Sequence, residues 1–460
     1  MGEDLRNFRE VVLHALRRCS EGKQFLREAL QGEFERAAFP RRLRGAASDL
    51  AAGVVRRRVT LDRLIGVFSD IALRKIDPPL LDVLRLAVYE VLFVERVPVH
   101  AGVSEAVELT KKLARREFAG FTNAVLRSLV RSVERTVRTP ARRPPSSREL
   151  TVEPGCVVCF DRDVFCDPGT DLTGYLSTAH GMPRWLVDRW QRNFTADEVL
   201  QVLEASNARP CVSIRVNRLK TTTDALARLL AEGGVKTAPG EVPYSLRVVS
   251  GAELTALDAF ARGEFYIQDV SAMLAPAVCA PRAGEKVLDL CAAPGGKTTH
   301  LAEIGGEGAE IFALDISPER LRLVEQNARR LGITNVRTCV GNARRLAGDM
   351  RGVFDVVLAD VPCSNTGVLR RRVEARHRLR PETIGQLTNV QADILHAALS
   401  AARPDGRVVY STCSIEPEEN RQLVERVLAE NPQWQRDTDE QRLPLSAGGD
   451  GGYVTRLIAR

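Results

Sequence analysis

From residue 285 onward, short apolar runs alternate with helix-spaced segments, and this alternation restricts the fold more than any other feature of the chain. Lys286–Leu290, Ile311–Leu314, Val336–Val340, Phe354–Ala359 and Arg407–Tyr410 read as strands. The stretch Asp289 to Lys297, Asp-Leu-Cys-Ala-Ala-Pro-Gly-Gly-Lys, turns the first strand into a helix that runs through His300 to Ile304. The second strand ends in Asp315, Ser317-Pro318 caps and opens the next helix, and Gly332 closes it. These signals predict a parallel, doubly wound sheet, which binds ligands outside the carboxyl ends of its strands.

The chemistry-bearing residues fall at those ends. Cys291, Ala292, Ala293, Pro294, Gly295, Gly296 and Lys297 form a glycine-rich turn, distinct from the dinucleotide Gly-x-Gly-x-x-Gly pattern, that lets a nucleotide-like ligand approach the backbone. Asp315 is placed to accept hydrogen bonds from ribose hydroxyls, or is simply a helix-flanking carboxylate. Cys363 lies in Asp360-Val361-Pro362-Cys363-Ser364 and Cys413 in Ser411-Thr412-Cys413-Ser414. Both follow strand ends and have hydroxyl neighbours, which suits a crevice better than a core. Lys297, nearby arginines or helix N-termini could lower a thiol pKa there. Cys279 and Cys339, by contrast, read as small buried hydrophobes. A thiolate, a second thiol and a nucleoside-bearing cofactor together suit methylation of a pyrimidine at carbon 5, where attack on carbon 6 activates the ring. Arg370, Arg371, Arg372 and Arg376, continued by Arg378 and Arg380 against the lone Glu374, read either as a backbone-phosphate clamp or as a solvated loop.

Upstream the pattern differs. At 460 residues and 44% hydrophobic content, the chain has room for several cores. Residues 1 to about 135 read as helices, with Phe8, Val11, Val12, Ala15 and Leu16 at helical spacing and a buried helix from Val83 to Phe93. Residues 1–150 hold 29 Lys and Arg against 19 Asp and Glu, a surplus a phosphate-rich partner would favour, as would a merely solvated helical surface. Residues 138–148 carry three prolines and read as a linker. Cys156, Cys159 and Cys166, with the distant His180, leave open a zinc site or a small hairpin. Residues 183–280 mix helix and strand, with Trp185–Trp190 and Thr221–Gly233 helical and Cys211–Val216 extended. Met1 to Arg18 holds three acids and no apolar core, unlike a signal peptide, and no long apolar run suggests a membrane span. A cytoplasmic protein with reduced cysteines is expected.

Cys291–Lys297, Pro362-Cys363-Ser364 and Thr412-Cys413-Ser414 together resemble the cofactor loop, Pro-Cys motif and Thr-Cys motif of the RNA cytosine-5 methyltransferases. Tyr266–Ser271 is similar to the motif that precedes the family's cofactor strand. His100–Leu109 and Asn123–Arg127 resemble the NusB-type RNA-binding bundle, and a NusB-like bundle joined to this catalytic region is the architecture of the RsmB (Sun) branch. The resemblance implies a multidomain chain. Residues 1–137 would be an all-α NusB-like RNA-binding domain, 138–175 a linker with a hairpin, 176–280 a small α/β RNA-binding subdomain, and 281–460 a Rossmann-like methyltransferase domain. It also implies S-adenosylmethionine as cofactor, small-subunit 16S ribosomal RNA as partner, and no metal, membrane or DNA; a monomer is expected. Cys413 would be the nucleophile and Cys363 would serve product release, with Asp360 and Lys297 beside them. The cofactor would rest on 291–297, Asp315, Asn342 and Asp360. Three positions depart from the family: Asn342 replaces the usual Asp, Val361 an Ala, and Asn365 a Gly, although Asn tolerates the left-handed backbone such a turn needs. Rival readings are a cytosine-5 enzyme acting on DNA or on another RNA such as tRNA, an amino-group methyltransferase, and a non-catalytic RNA-binding antitermination-type factor.

Overall fold

In the N-terminal part, apolar residues at three- and four-residue spacing produce the helices Gly2–Ser20, Leu26–Arg36, Arg41–Arg56, Arg58–Phe68, Pro78–Phe93, Val99–Leu113 and Ala119–Ser132. The helix Pro78–Phe93 starts with Pro at its first position and buries Leu80, Val83, Leu84, Leu86, Ala87 and Val88. Its Arg85 is paired with Asp62 at 2.6 Å and Asp82 at 3.0 Å. The computed structural model describes residues 2–22, 24–95, 98–139, 144–251, 253–346, 348–445 and 448–460. The chain forms two compact units: residues 1–208 with Arg372–Arg378, and residues 209–371 with 379–460.

The first unit also contains a three-stranded antiparallel sheet made of β1 (Val133–Arg138), β2 (Glu149–Glu153) and β3 (Cys156–Phe160), with β3 in the middle. Val133–Arg138 is therefore a strand, where helix was expected to about 135. Residues 140–143 of the expected linker lie outside the described residues. The hairpin reading of the cysteine segment matches β2 and β3. Cys156 and Cys159 are buried three apart on one strand, so their side chains point to opposite faces and cannot converge on one ion. Among the described residues no cluster of potential metal ligands occurs. Helices Leu172–His180, Arg184–Asn193 and Ala196–Asn207 belong to this unit.

In the second unit, β4 (Val212–Val216), β5 (Lys236–Pro239), β6 (Ser245–Ser250) and β7 (Phe265–Ile267) make a small antiparallel sheet ordered β5-β6-β4-β7. The large sheet comprises β8 (Lys286–Asp289), β9 (Glu310–Asp315), β10 (Val336–Val340), β11 (Phe354–Asp360), β12 (Ala402–Thr412), β13 (Trp434–Arg442) and β14 (Gly452–Ala459), ordered β10-β9-β8-β11-β12-β14-β13. The first five strands in that order are parallel, and β14 is antiparallel to both of its neighbours. Alternate residues face opposite sides. Leu288, Val357 and Tyr410 pack toward Leu395 and Val424, while Val287, Val356 and Val409 pack toward Leu301 and Ala328. Each buried side chain of this kind contributes roughly 1.5–3 kcal/mol. From β8 the chain winds outward through β9 and β10, then returns to β11 on the other side. The crevice at this reversal opens beyond the carboxyl ends of β8 and β11, where the sequence placed its motifs. No described helix is long and apolar enough to cross a membrane.

Candidate active site

The glycine turn leaves β8 through a cis Ala293–Pro294 peptide and reaches Gly295 at φ +100°. A Cβ on Gly295 would stand 3.0 Å from the Val324 backbone, so both the backbone angle and the packing require glycine. The turn is held from the next strand: the Ala293 N–H donates to Asp315 Oδ2 at 3.1 Å and the Ser317 N–H to Oδ1 at 3.0 Å. Each carboxylate oxygen keeps a lone pair. Beside Asp315, Ile316 is 68% exposed and Val340, its neighbour on β10, is 65% exposed. Apolar side chains left uncovered at adjacent strand ends, next to a carboxylate, offer a surface that could hold a nucleoside. The sequence reading missed both residues. Two exposed aliphatic residues at consecutive strand ends were the available signal. The Asn342 Oδ1 accepts the Arg344 N–H at 3.0 Å, which leaves its amide NH2 to donate.

At the end of β11, Asp360 accepts Lys297 Nζ at 2.7 Å and Ser411 Oγ at 3.1 Å. Burial pushes the Lys297 ammonium down, but the Asp360 carboxylate, with help from Cys413 and Asp289, more than offsets this and holds it above its ordinary value. The lysine is thus a fixed cation in the crevice. Cys363 and Cys413, 50 positions apart, meet with Sγ atoms 3.1 Å apart. Cys413 lines a small cavity of about 70 Å³ together with Asp269, Lys297, Asp360, Ser411 and Tyr453. Cys363 is only 9% exposed. Its hydrogen bond to Cys413, burial and the Cys413 and Glu419 charges all push its thiol well above the ordinary value. Asn365 takes the left-handed conformation at φ 62°, its Nδ2 donates to the Cys363 carbonyl at 2.8 Å, and its Oδ1 lies 3.3 Å from Cys413 Sγ. The substitution of Asn for Gly therefore keeps the turn and adds a contact to the second thiol. Gly367 lets the two loops touch, because a Cβ there would be 2.9 Å from the Cys413 carbonyl. Of the two cysteines read as core, Cys279 is buried and Cys339 only half-buried.

The four arginines do not form a clamp. Arg370 is 1% exposed, bound to Asp450 and to the carbonyls of Leu445 and Gly448. Arg371 bridges Asp450 and Asp269. Arg376 is 0% exposed within the first unit, where it donates to the carbonyls of Arg56 and Ser206 and to Asn207 Oδ1. Arg372, like Arg371, is exposed. A run of arginines reads the same in sequence whether its partners are phosphates or carbonyls. The acid that anchors Arg370 and Arg371 sits in Gly448-Gly449-Asp450-Gly451-Gly452, where the glycine run could have flagged a close-packed loop.

Asp289 lies inside the turn with no exposure, accepting Thr298 Oγ1 at 2.7 Å on Oδ2. Burial, aided by the Asp360 charge, raises its carboxyl from 3.8 to about 7. Between those values the folded state binds more protons than the unfolded state, so this group lowers stability as pH rises through the interval. Asp289→Asn removes that effect. Its melting temperature relative to the native protein should improve between about pH 5 and about pH 8 by the equivalent of about 2 kcal/mol. A pH-independent difference between the two proteins would refute the assignment.

A seven-stranded mixed sheet, a glycine turn answered by Asp315, and paired thiols in the adjoining crevice define an S-adenosylmethionine-dependent methyltransferase. Residues 276–454 match the family described as 16S rRNA methyltransferase RsmB/F, residues 6–131 the NusB family, and residues 182–255 the RsmF/B-like ferredoxin-like domain. The ribosomal RNA small subunit methyltransferase B of Salmonella paratyphi B is 31% identical over 465 residues, covering 99% of each chain. The crystal structure of PH0851 superposes with a TM-score of 0.76 at 24% identity, covering 98% of each chain. NSun6 from Pyrococcus horikoshii, solved with SFG, gives a TM-score of 0.53 at 21% identity over 60% of this chain and 98% of its own. The chain belongs to the ribosomal RNA small subunit methyltransferase B family.

Proposed function

We propose that the protein methylates carbon 5 of one cytosine in small-subunit 16S ribosomal RNA through a covalent bond between Cys413 and carbon 6. The observation that carries this reading is the split between the thiols: Cys413 lines the cavity beside Lys297 and Asp360, and Cys363 lies behind it at 3.1 Å. Nucleophilic addition needs an accessible sulfur next to a cation, and proton removal needs a second group in reach of the same ring. S-adenosylmethionine, when bound, supplies the electrophilic methyl group. The residues that would hold it are 291–297, Asp315, Ile316, Asn342 and Asp360. With its Oδ1 engaged, Asn342 offers a donor suited to an adenine ring nitrogen, in place of the acceptor an aspartate would present.

In the reaction, the Cys413 sulfur bonds to carbon 6 and carbon 5 becomes the nucleophile that takes the methyl group. Cys363, having passed its own thiol proton to water during the addition, accepts the carbon 5 proton, and departure of the Cys413 thiolate restores the aromatic ring. Asp360, fixed by Lys297 and Ser411, holds the base edge or the methionine end of the cofactor. The target must leave any stack to present its face, which favours a loop cytosine. The N-terminal helices, in the segment with the basic surplus, bind the RNA backbone, and the enzyme works as a cytoplasmic monomer.

Methyl transfer to 16S ribosomal RNA should exceed transfer to DNA of the same sequence by at least about a hundredfold. Bisulfite sequencing of the product should show one newly resistant cytosine. Equal transfer to DNA, or a methylated RNA without a resistant cytosine, would sink the reading.

A further inference from the structure

Beneath the two thiols lies a carboxylate that the chemistry above does not use. Glu419, in the single turn Pro417–Glu419, is 0% exposed. Its Oε1 accepts the Ser364 N–H and Gln391 Nε2, both at 2.9 Å. Its Oε2 accepts Ser414 Oγ at 2.5 Å and also Ser364 Oγ. Ser364 follows Cys363 and Ser414 follows Cys413, so one carboxylate grips both cysteine loops. The Ser364 and Ser414 hydroxyls lie 3.0 Å apart, and Thr366 Oγ1 bridges from Ser414 at 3.1 Å to the Ile415 N–H at 3.1 Å. Among the described residues, no lysine or arginine pairs with Glu419. Its charge is stabilised by four neutral donors and stays effective at short range in this dry setting.

We propose that Glu419 is the positioning residue that makes the thiol pair asymmetric, holding the proton on Cys363 and favouring Cys413 as the nucleophile. This rests on the roles assigned to the cysteines above. The titratable groups that face the pair divide accordingly. Around Cys363 stand Glu419, Cys413 and the buried Tyr410, whose hydroxyl donates to the Glu419 carbonyl at 2.6 Å. Around Cys413 stand Lys297, Asp360 and Cys363. Lys297 beside Cys413 is paired with Asp360 at 2.7 Å and its charge is largely offset there, so the bias comes from the Glu419 carboxylate behind Cys363. Asn365 Oδ1, at 3.3 Å from Cys413 Sγ, favours a proton on Cys413 instead. A neutral thiol–carbonyl contact is weaker than a full charge at low dielectric, so the Glu419 charge prevails.

The test is the selectivity of iodoacetamide for the two cysteines in the full-length protein, read by peptide mass mapping at neutral pH without RNA or cofactor. The native protein should react at Cys413 in large preference to Cys363. Glu419→Gln keeps the shape and an acceptor oxygen while deleting the charge. It should lower the Cys413-to-Cys363 rate ratio about tenfold, with melting temperature and cofactor affinity close to native. A merely structural Glu419 would lower the melting temperature and leave the ratio alone, and that result overturns the proposal. Should Glu419→Gln not fold, Glu419→Asp, which withdraws the charge by one methylene, must still lower the ratio, and a native ratio there is equally decisive against it. Because RNA is absent, failure of this proposal appears as unchanged selectivity, whereas failure of the nucleobase reading appears as the absence of an RNA adduct.

Discussion

Cys413→Ala should abolish methyl transfer, with turnover falling by at least about four orders of magnitude, and should form no RNA–protein adduct. Without the sulfur in the cavity, carbon 6 is never attacked and carbon 5 stays too electron-poor to take a methyl group. Cys363→Ala should fail later. Its nucleophile still lines the cavity, so attack and methyl transfer proceed, but the carbon 5 proton lacks its acceptor. A covalent complex should then accumulate and survive denaturing electrophoresis. It should require the cytosine substrate and vanish in the double variant. The geometry adds a reason the motifs alone could not supply, since Cys363 is buried behind Cys413 and only one thiol meets an incoming ring. A stable adduct with Cys413→Ala instead would reverse the two roles. Unimpaired turnover in both variants would remove the cysteine mechanism altogether.

The sheet was legible because its signals are local. Apart from the edge strand β10, each parallel strand carries apolar residues buried on both faces, and each turn carries its own glycine, proline or capping residue. Residues 434–459 were not legible. Trp434–Arg442 is almost wholly polar and resembles a loop, yet it pairs with β14 as a charged edge strand that resists further pairing. In the site, the motif residues could be found because chemistry restricts their type: a thiol, a carboxylate at a strand end, a glycine turn. Glu419, Asp450 and Ile316 could not be, since their importance comes from partners 5 to 80 positions away or from the solvent they leave open. The arginine run shows the opposite error. Composition suggested a surface, but the buried carbonyls around Arg370 and Arg376 take up the same donors.

Arg215→Ala should cost about 3–5 kcal/mol of stability, the typical penalty for stranding one partner of a buried ion pair. Arg215 on β4 reaches Glu303 through a bidentate contact at 2.8 and 3.0 Å, with both side chains 2% exposed. It also donates to Thr299 Oγ1 at 3.0 Å and to the Gly296 carbonyl at 2.7 Å. The small sheet is thereby fastened to the helix that begins in the cofactor turn. Burial already pushes the Glu303 carboxyl up, with Arg215 opposing it. Once Arg215 is gone, the folded-state value rises further above the unfolded one, so the variant's deficit should grow as pH rises through that interval. Melting temperature should fall on the order of 10 °C at neutral pH. Cofactor affinity should weaken as well, because the Gly296 carbonyl loses a donor that fixes the turn. Glu303→Gln in the Arg215→Ala background should recover part of the stability by removing the stranded charge, without restoring cofactor affinity. Arg215→Lys should fall between native and Ala, since a point charge cannot reproduce the planar fork. A loss below about 1 kcal/mol for Arg215→Ala would mean that water or a neighbouring group takes over the pairing, and the proposed fastening of sheet to turn would then be wrong.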